Sequence, residues 1–454
     1  VPASRAFDTG WTERAAWTAA AILAAAYAVA GSAPAGALRA VRFGLDGLRP
    51  SGPFAPALVA GACVLGVALA RPRASAALTA IDRLASRPAG RLALAAVAVI
   101  VFWMARTAHV NPDGLAFQAK FERAVPVAGV FATYDEILEF VVHSRAWAWA
   151  HAWWGWDVAA VYRVLSVAAG GVFVWLLTGY ARLVAPRRGA VFTAVVCAGG
   201  FVQLFCGDVE NYTLTAAWVM AYWLASERYL QGRASILWPT VTLAVAMMFH
   251  LLAGFLVPSL GYLWTIAWRR GEARAVARAS LAAAVVFATT AALCEWRWHL
   301  PLSAFWTSHA AGNGGRYATV LSSPAGAHLW AQLNVILLLC PAVVLAAPLA
   351  FASRAARTTV GLPAGAAGAR RRQLAIASAF MLLFVFVWTP ALGPLEDWNL
   401  FAAAAIPLSL LLWTEAGAAL QAVPRLRTPV AIVASLAALH TLAWIGNNNG
   451  AFGR

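Results

Sequence analysis

Residues 91–114 read RLALAAVAVIVFWMARTAHVNPDG, and their order decides the fold. After Arg91 no charge occurs until Arg106, and the run ends in the turn His109-Val110-Asn111-Pro112-Asp113-Gly114. An uncharged apolar stretch of this kind is close to the ~20 residues a bilayer-crossing helix needs. Hydropathy divides the whole chain the same way, into about thirteen spans near 14–32, 54–70, 91–107, 158–184, 189–205, 211–230, 236–250, 251–268, 276–295, 328–352, 373–391, 398–417 and 428–446. The expected fold is all-α: a polytopic membrane protein of about 13 transmembrane helices, with amphipathic helices lying along the surface in the first large outer loop.

Charge orients these spans. Labelling successive loops alternately, one set with the N-terminus holds 23 Lys+Arg and 6 Asp+Glu, and the other holds 11 and 12. By the positive-inside rule the arginine-rich loops, such as Arg71–Arg91 and Arg269–Arg278, are cytoplasmic. The N-terminus is then inside, Asn447–Asn449 lie outside, and the expected location is the inner (cytoplasmic) membrane. Residues 236–268 keep this parity only if they turn back near His250.

A hydrophobic share of 62%, 11% charged residues and a mean hydropathy of +0.71 exclude an ordinary soluble domain. The pI near 10.7 reflects topology-setting loops that face anionic headgroups, so no nucleic-acid partner is expected. The absence of a Walker loop leaves ATP-driven pumping without an engine. The five cysteines (Cys63, Cys197, Cys206, Cys294, Cys340) have no metal-ligand spacing; Cys206 and Cys294 fall near the outer surface as a disulfide or two buried thiols. The first span is expected to remain as a membrane helix. Three regions follow: 1–90 with the N-terminal helices and an arginine-rich loop, 91–270 with outer loop 108–156, and 271–454 with outer loop 297–324.

Asp113 follows a membrane helix in an Asn-Pro-Asp-Gly turn, which places a carboxylate at the water boundary. There it serves either as a general base, worth about 10²–10⁴ in rate, or as a cap for a helix over Leu115–Arg123. Lys120, the only lysine in the chain, shares roughly one helical face with Asp113 and is a point charge for a lipid phosphate or a snorkelling side chain. In Cys206–Tyr212, Asp208 reads as an N-cap. Glu210 and Asn211 sit at a helix lip, where an ionisable group is costly and suggests sugar hydroxyls or a divalent metal as ligands. His250 interrupts an apolar run as a structural or functional histidine. Arg316, in the glycine-rich Gly312–Tyr317, and Glu396 with Asp397 complete the outer candidates. A helix over Tyr134–Trp154, rich in tryptophan, is expected to lie in the headgroup region. Its Glu136, Glu139 and His143 share one face at i, i+3 and i+7, which is more often a solvated stripe than a site.

The pattern resembles the GT-C superfamily of integral-membrane glycosyltransferases, which includes protein O-mannosyltransferases, aminoarabinose transferases and lipid-linked mannosyltransferases. Asp113, the Leu115–Arg123 helix and the tryptophan-rich helix stand where that superfamily has its catalytic acid and surface helices. The stretch His109–Gln118 is loosely similar to the His-Pro-Asp-Glu turn of the lipid-linked mannosyltransferases. Here Gly114 replaces the second acid, leaving that role to Glu210, Asp135 or no residue. The resemblance spans about residues 91–450. It implies a polyprenyl-phosphate-linked sugar donor, a glycan, lipid or protein acceptor, membrane lipids as surroundings, and Asp113 as the catalytic residue at the outer face. A transporter or lipid flippase, and a non-catalytic membrane subunit, are the alternatives.

Overall fold

The computed structural model describes residues 9–32, 43–108, 110, 112–123, 136–298, 325–360, 365–388, 393 and 397–449. Among the described residues there is no strand. The chain opens with α1 (Thr9–Ser32), α2 (Ala55–Leu69), α3 (Pro72–Ala85) and α4 (Pro88–Met104). Next come α5 (Pro112–Arg123), α6 (Ile137–Trp154), α7 (Val158–Val184) and the short α8 (Gly189–Val196). Helices α9 (Thr213–Leu230), α10 (Leu237–Phe249), α11 (Val257–Arg269) and α12 (Ala273–Trp298) follow. The last are α13 (Ala325–Leu339), α14 (Ala346–Val360), α15 (Ala366–Val387), α16 (Ala402–Ala422) and α17 (Arg427–Asn449).

Seven helical stretches among the described residues are long and apolar enough to cross a membrane, or nine if each of two bent pairs is one span. The expected thirteen is not confirmed, although every predicted span contains helix. Several of the spans are short or bent. Residues 189–205 form only the eight-residue α8 and a 3-10 turn, Gly200–Phe205. Helix α10 has 13 residues, and α15 opens with Arg370, Arg371 and Arg372 in its first turns. The 328–352 span bends by 102° where Pro341 denies the helix an amide donor.

Residues 236–268 do turn back. His250 is extended (φ −155°, ψ 127°) between α10 and the 3-10 turn Leu251–Leu256. The Trp264 indole, late in α11, donates to Thr240 Oγ1, early in α10, at 3.1 Å. Just beyond α11, Glu272 accepts from the Tyr229 hydroxyl at the far end of α9 at 3.1 Å. Helices α10 and α11 thus run antiparallel, and His250 stands at the end opposite to Glu272.

The two ends of the bundle hold different polar contacts. At one end α4, α9, α10 and α17 bring together Thr107, Cys206, His250 and Asn448; the Thr107 amide donates to Cys206 O at 2.8 Å and the Ala108 amide to Asn448 O at 2.8 Å. At the other, Arg370 of α15 makes two bonds to Glu227 of α9, Nε to Oε2 at 2.7 Å and Nη2 to Oε1 at 2.5 Å. Arg371 pairs with Glu415 of α16 at 2.8 Å. Between the ends the core is apolar and aromatic, with Trp223, Tyr222, Phe173, Phe201 and Phe205 fully buried. Small residues admit close helix contacts: a Cβ on Gly66 of α2 would stand 2.6 Å from the Ile432 Cα of α17, so only glycine fits there.

Candidate functional site

Five chain segments converge at the acid-bearing end. Helix α5 begins at Pro112, where a missing amide donor costs nothing, and holds Asp113 in its first turn. Asp113 is therefore a first-turn residue favoured by the helix dipole; the helix starts three residues earlier than expected, and the capping role ahead of Leu115 does not arise. Its side chain is exposed to solvent. Desolvation by the surrounding protein, then the nearby Glu136 carboxylate, push its carboxyl above the ordinary range, and Lys120 opposes them. Lys120 Nζ lies 5.5 Å from the Phe117 ring centroid and 5.8 Å from that of Phe140, which holds the ammonium against the aromatic cluster.

A further carboxylate at this end belongs to the stripe that the sequence reading weighted toward solvent. Glu136, at the N-terminal boundary of α6, accepts from Asn211 Nδ2 at 2.7 Å through Oε2. Its Oε1 lies 3.5 Å from His250 Nε2. His250 Nδ1 accepts the Leu252 amide at 3.1 Å, which leaves the proton on Nε2, facing Glu136. The His250 ring also stacks on Tyr212, with centroids 5.0 Å apart. Asn211 is oriented from its other side, because the Tyr162 hydroxyl donates to its Oδ1 at 3.0 Å. The chain His250–Glu136–Asn211–Tyr162 thus joins residues from α10, α6, the loop before α9, and α7. Glu210 is buried beside it, within electrostatic range of Tyr162.

Glu139 and His143 do not form a solvated stripe: both are buried, along with Ile137, Phe140 and Trp147 on the same helix. Glu139 Oε1 accepts from the Thr215 amide at 3.2 Å, and burial pushes its carboxyl up to about 8. The His143 ring stacks on Tyr162 at 3.9 Å, and burial lowers its pKa to about 4. Burial thus favours the neutral form of both side chains. The surface that α6 does expose is aromatic, with Trp149, Trp153 and Trp154 open to the surroundings. Its stripe was misread because spacing gives a face and not the direction in which that face points.

Glu139 has a consequence for pH. Its carboxyl is raised in the fold relative to an ordinary carboxylate, so its neutral form stabilises fully below the unfolded value and that contribution is lost as pH rises through about 8. Glu139→Gln is expected to flatten the fall in thermal midpoint between about pH 5 and about pH 8. Equal falls in wild type and variant would show that Glu139 does not titrate there.

Asp208 is not an N-cap of α9, whose N-cap position is Tyr212. It accepts from Asn399 Nδ2 at 3.4 Å, and burial pushes its carboxyl up to about 7. Asp397 is buried at the N-cap position of the 3-10 turn Trp398–Phe401, without a side-chain capping bond. Cys206 and Cys294 are free, buried thiols. Arg316, Glu396 and Asp135 lie outside the described residues. Among the described residues no group of three or more His, Cys, Asp or Glu side chains is arranged to hold a metal. Two small cavities flank Cys340, lined by groups such as Val335, Leu382 and Phe401 or Val195 and Trp413, and contain none of the expected site residues. Comparison with protein-family models, curated proteins and solved structures returned no match.

Proposed function

We propose that this chain is a membrane glycosyltransferase of the GT-C kind, moving a sugar from a polyprenyl-phosphate donor to an acceptor at its acid-bearing end. The observation that carries this reading is Glu136 held by Asn211 and His250 from separate elements, with Asp113 in its electrostatic range and Lys120 in that of Asp113. Acids at helix mouths suit chemistry at a membrane surface, whereas transporters place ionisable groups near the bilayer midplane. Positive-inside orientation makes this end extracytoplasmic.

In this reading Asp113, exposed and raised in pKa, takes the proton from the acceptor hydroxyl as that oxygen attacks the anomeric carbon. The bond from that carbon to the donor phosphate breaks, and the lipid phosphate leaves with the electron pair. Lys120 and the Nε2–H of His250 are the cations and donors available to that developing charge, with Arg316 as a further candidate. Glu136 and Asn211 supply acceptors and a donor for sugar hydroxyls. The exposed tryptophans of α6 seat the site at headgroup level. No nucleotide enters in this reading.

The test is turnover. Purified protein in lipid nanodiscs is incubated with undecaprenyl-phosphate-linked hexoses and pentoses, and release of undecaprenyl phosphate is followed with and without simple glycan acceptors. Release of lipid phosphate from one donor supports the reading. A panel left unconsumed by protein that binds those donors would sink it.

A further inference from the structure

At the opposite end of the bundle three arginines gather, none of them paired with a carboxylate among the described residues. Arg91 stands in the first turn of α4, and its guanidinium lies along α7. Its Nη2 donates to Trp175 O at 3.4 Å, and Cζ sits 4.9 Å from the Trp175 ring centroid. Gly179, one turn further along α7, makes room: a Cβ there would be 3.1 Å from Arg91 Nη2. Arg91 Nε is buried with no hydrogen-bond partner. Arg182 follows on the same face of α7, and Arg228 stands one turn beyond Leu224 of α9, which packs 3.4 Å from a Cβ placed on Gly179; both lie within electrostatic range of Arg91. Helices α7 and α9 are tied at this point by Gln231 Nε2 donating to Leu183 O at 3.0 Å.

The nearby carboxylates are committed elsewhere. Glu227, adjacent to Arg228, is held by Arg370 and Gln231. Asp82 accepts the Ala190 amide at 2.6 Å, with Arg188 in range. Among the described residues none of Arg91, Arg182 and Arg228 pairs with a carboxylate. The first turn of α4 adds the positive end of its helix dipole and contains no acid. Three like charges held together in this way repel one another, and an anion between them relieves the repulsion. The half-exposed Trp175 marks the apolar edge of the cluster and faces outward, toward lipid.

We propose that Arg91, Arg182 and Arg228 form a binding site for the phosphate of an anionic membrane lipid, with Trp175 packed on its glycerol or first prenyl segment. A basic pocket between membrane helices at the arginine-rich end has the chemistry of lipid-headgroup capture. Guanidinium groups match phosphate oxygens in geometry as well as charge. This site is separate from the Asp113 site and stands or falls independently of the glycosyltransferase reading.

The experiment is a lipid titration of delipidated protein in neutral detergent, read as the shift in thermal midpoint. The probes are dioleoylphosphatidylglycerol, dioleoylphosphatidylcholine and undecaprenyl phosphate. Saturable stabilisation by phosphatidylglycerol, weakened about fivefold by Arg182→Gln and again by Arg228→Gln, is the expected result. Arg269→Gln, which removes one exposed charge at the same end, should leave the affinity unchanged. Both replaced arginines are partly exposed, so folding is expected to survive; Asp113→Asn should bind as wild type does. An arginine-dependent response to undecaprenyl phosphate alone supports the site and names the polyprenyl lipid as its occupant. Equal affinity in Arg182→Gln, Arg228→Gln and wild type for both lipids, or equal response to phosphatidylcholine, overturns the proposal.

Discussion

Asp113→Asn is expected to lower the rate of sugar transfer about 10²–10⁴-fold while leaving donor binding intact. Asparagine keeps the shape of the side chain, and the exposed first turn of α5 tolerates the exchange, so the loss falls on proton removal. The pH profile separates this role from a structural one. Nearby Glu136 raises the Asp113 carboxyl, and Lys120 lowers it. An active base must be ionised, so the acidic limb of the rate profile follows the Asp113 pKa. Glu136→Gln should therefore move that limb to lower pH, and Lys120→Gln should move it to higher pH. Activity that survives Asp113→Asn within about threefold would remove Asp113 from the reaction.

The second large effect concerns the other end. Arg370→Met is expected to destabilise the protein by about 3–5 kcal/mol, because it strands the Glu227 carboxylate inside the bundle. Glu227 is 1% exposed and Arg370 12%, so little water reaches either group. Glu227→Leu with Arg370→Met should recover most of the loss, because an apolar pair replaces a pair whose desolvation was already costly. Unfolding by a denaturing detergent, followed by tryptophan fluorescence, measures both. A single variant within about 1 kcal/mol of wild type would mean that water or Gln231 compensates for the missing arginine.

The contrast between these two ends explains how far the sequence could be read. Loop charge alone separates an arginine-rich face from an acid-bearing one, because that asymmetry is written residue by residue and needs no packing. Residues 91–107 and 158–184 are legible as helix for the same reason: length and hydropathy are local properties. The turn at His250 was readable as a necessity of parity, and Trp264 on Thr240 is its physical form. Span counts were less secure. An apolar run such as 328–352 has the composition of a crossing whether or not Pro341 bends it by 102°.

Within the site, Asp113, Lys120, Glu210, Asn211 and His250 were legible one at a time as ionisable or polar residues at the ends of apolar runs. Glu136 was not, because its spacing with Glu139 and His143 suits a wet helix face equally well. Tyr162 carried no signal at all, being one of four hydroxyl-bearing residues in a largely apolar 27-residue helix. Its role exists only through the 3.0 Å bond to Asn211, a residue 49 positions away.

The sequence by itself determined that the chain is helical, membrane-like and polar at its helix ends, since those follow from hydropathy and charge order. Tertiary structure alone decided which acids meet. Asp113, Glu136, Asn211 and His250 lie on four segments, and their approach depends on how α5 and α6 fold back over the mouths of α7, α9 and α10. The same holds for Arg91 against Gly179 and Trp175 at the other end. Local pattern fixes what a helix is made of; the direction its face points is set by the neighbour it packs against.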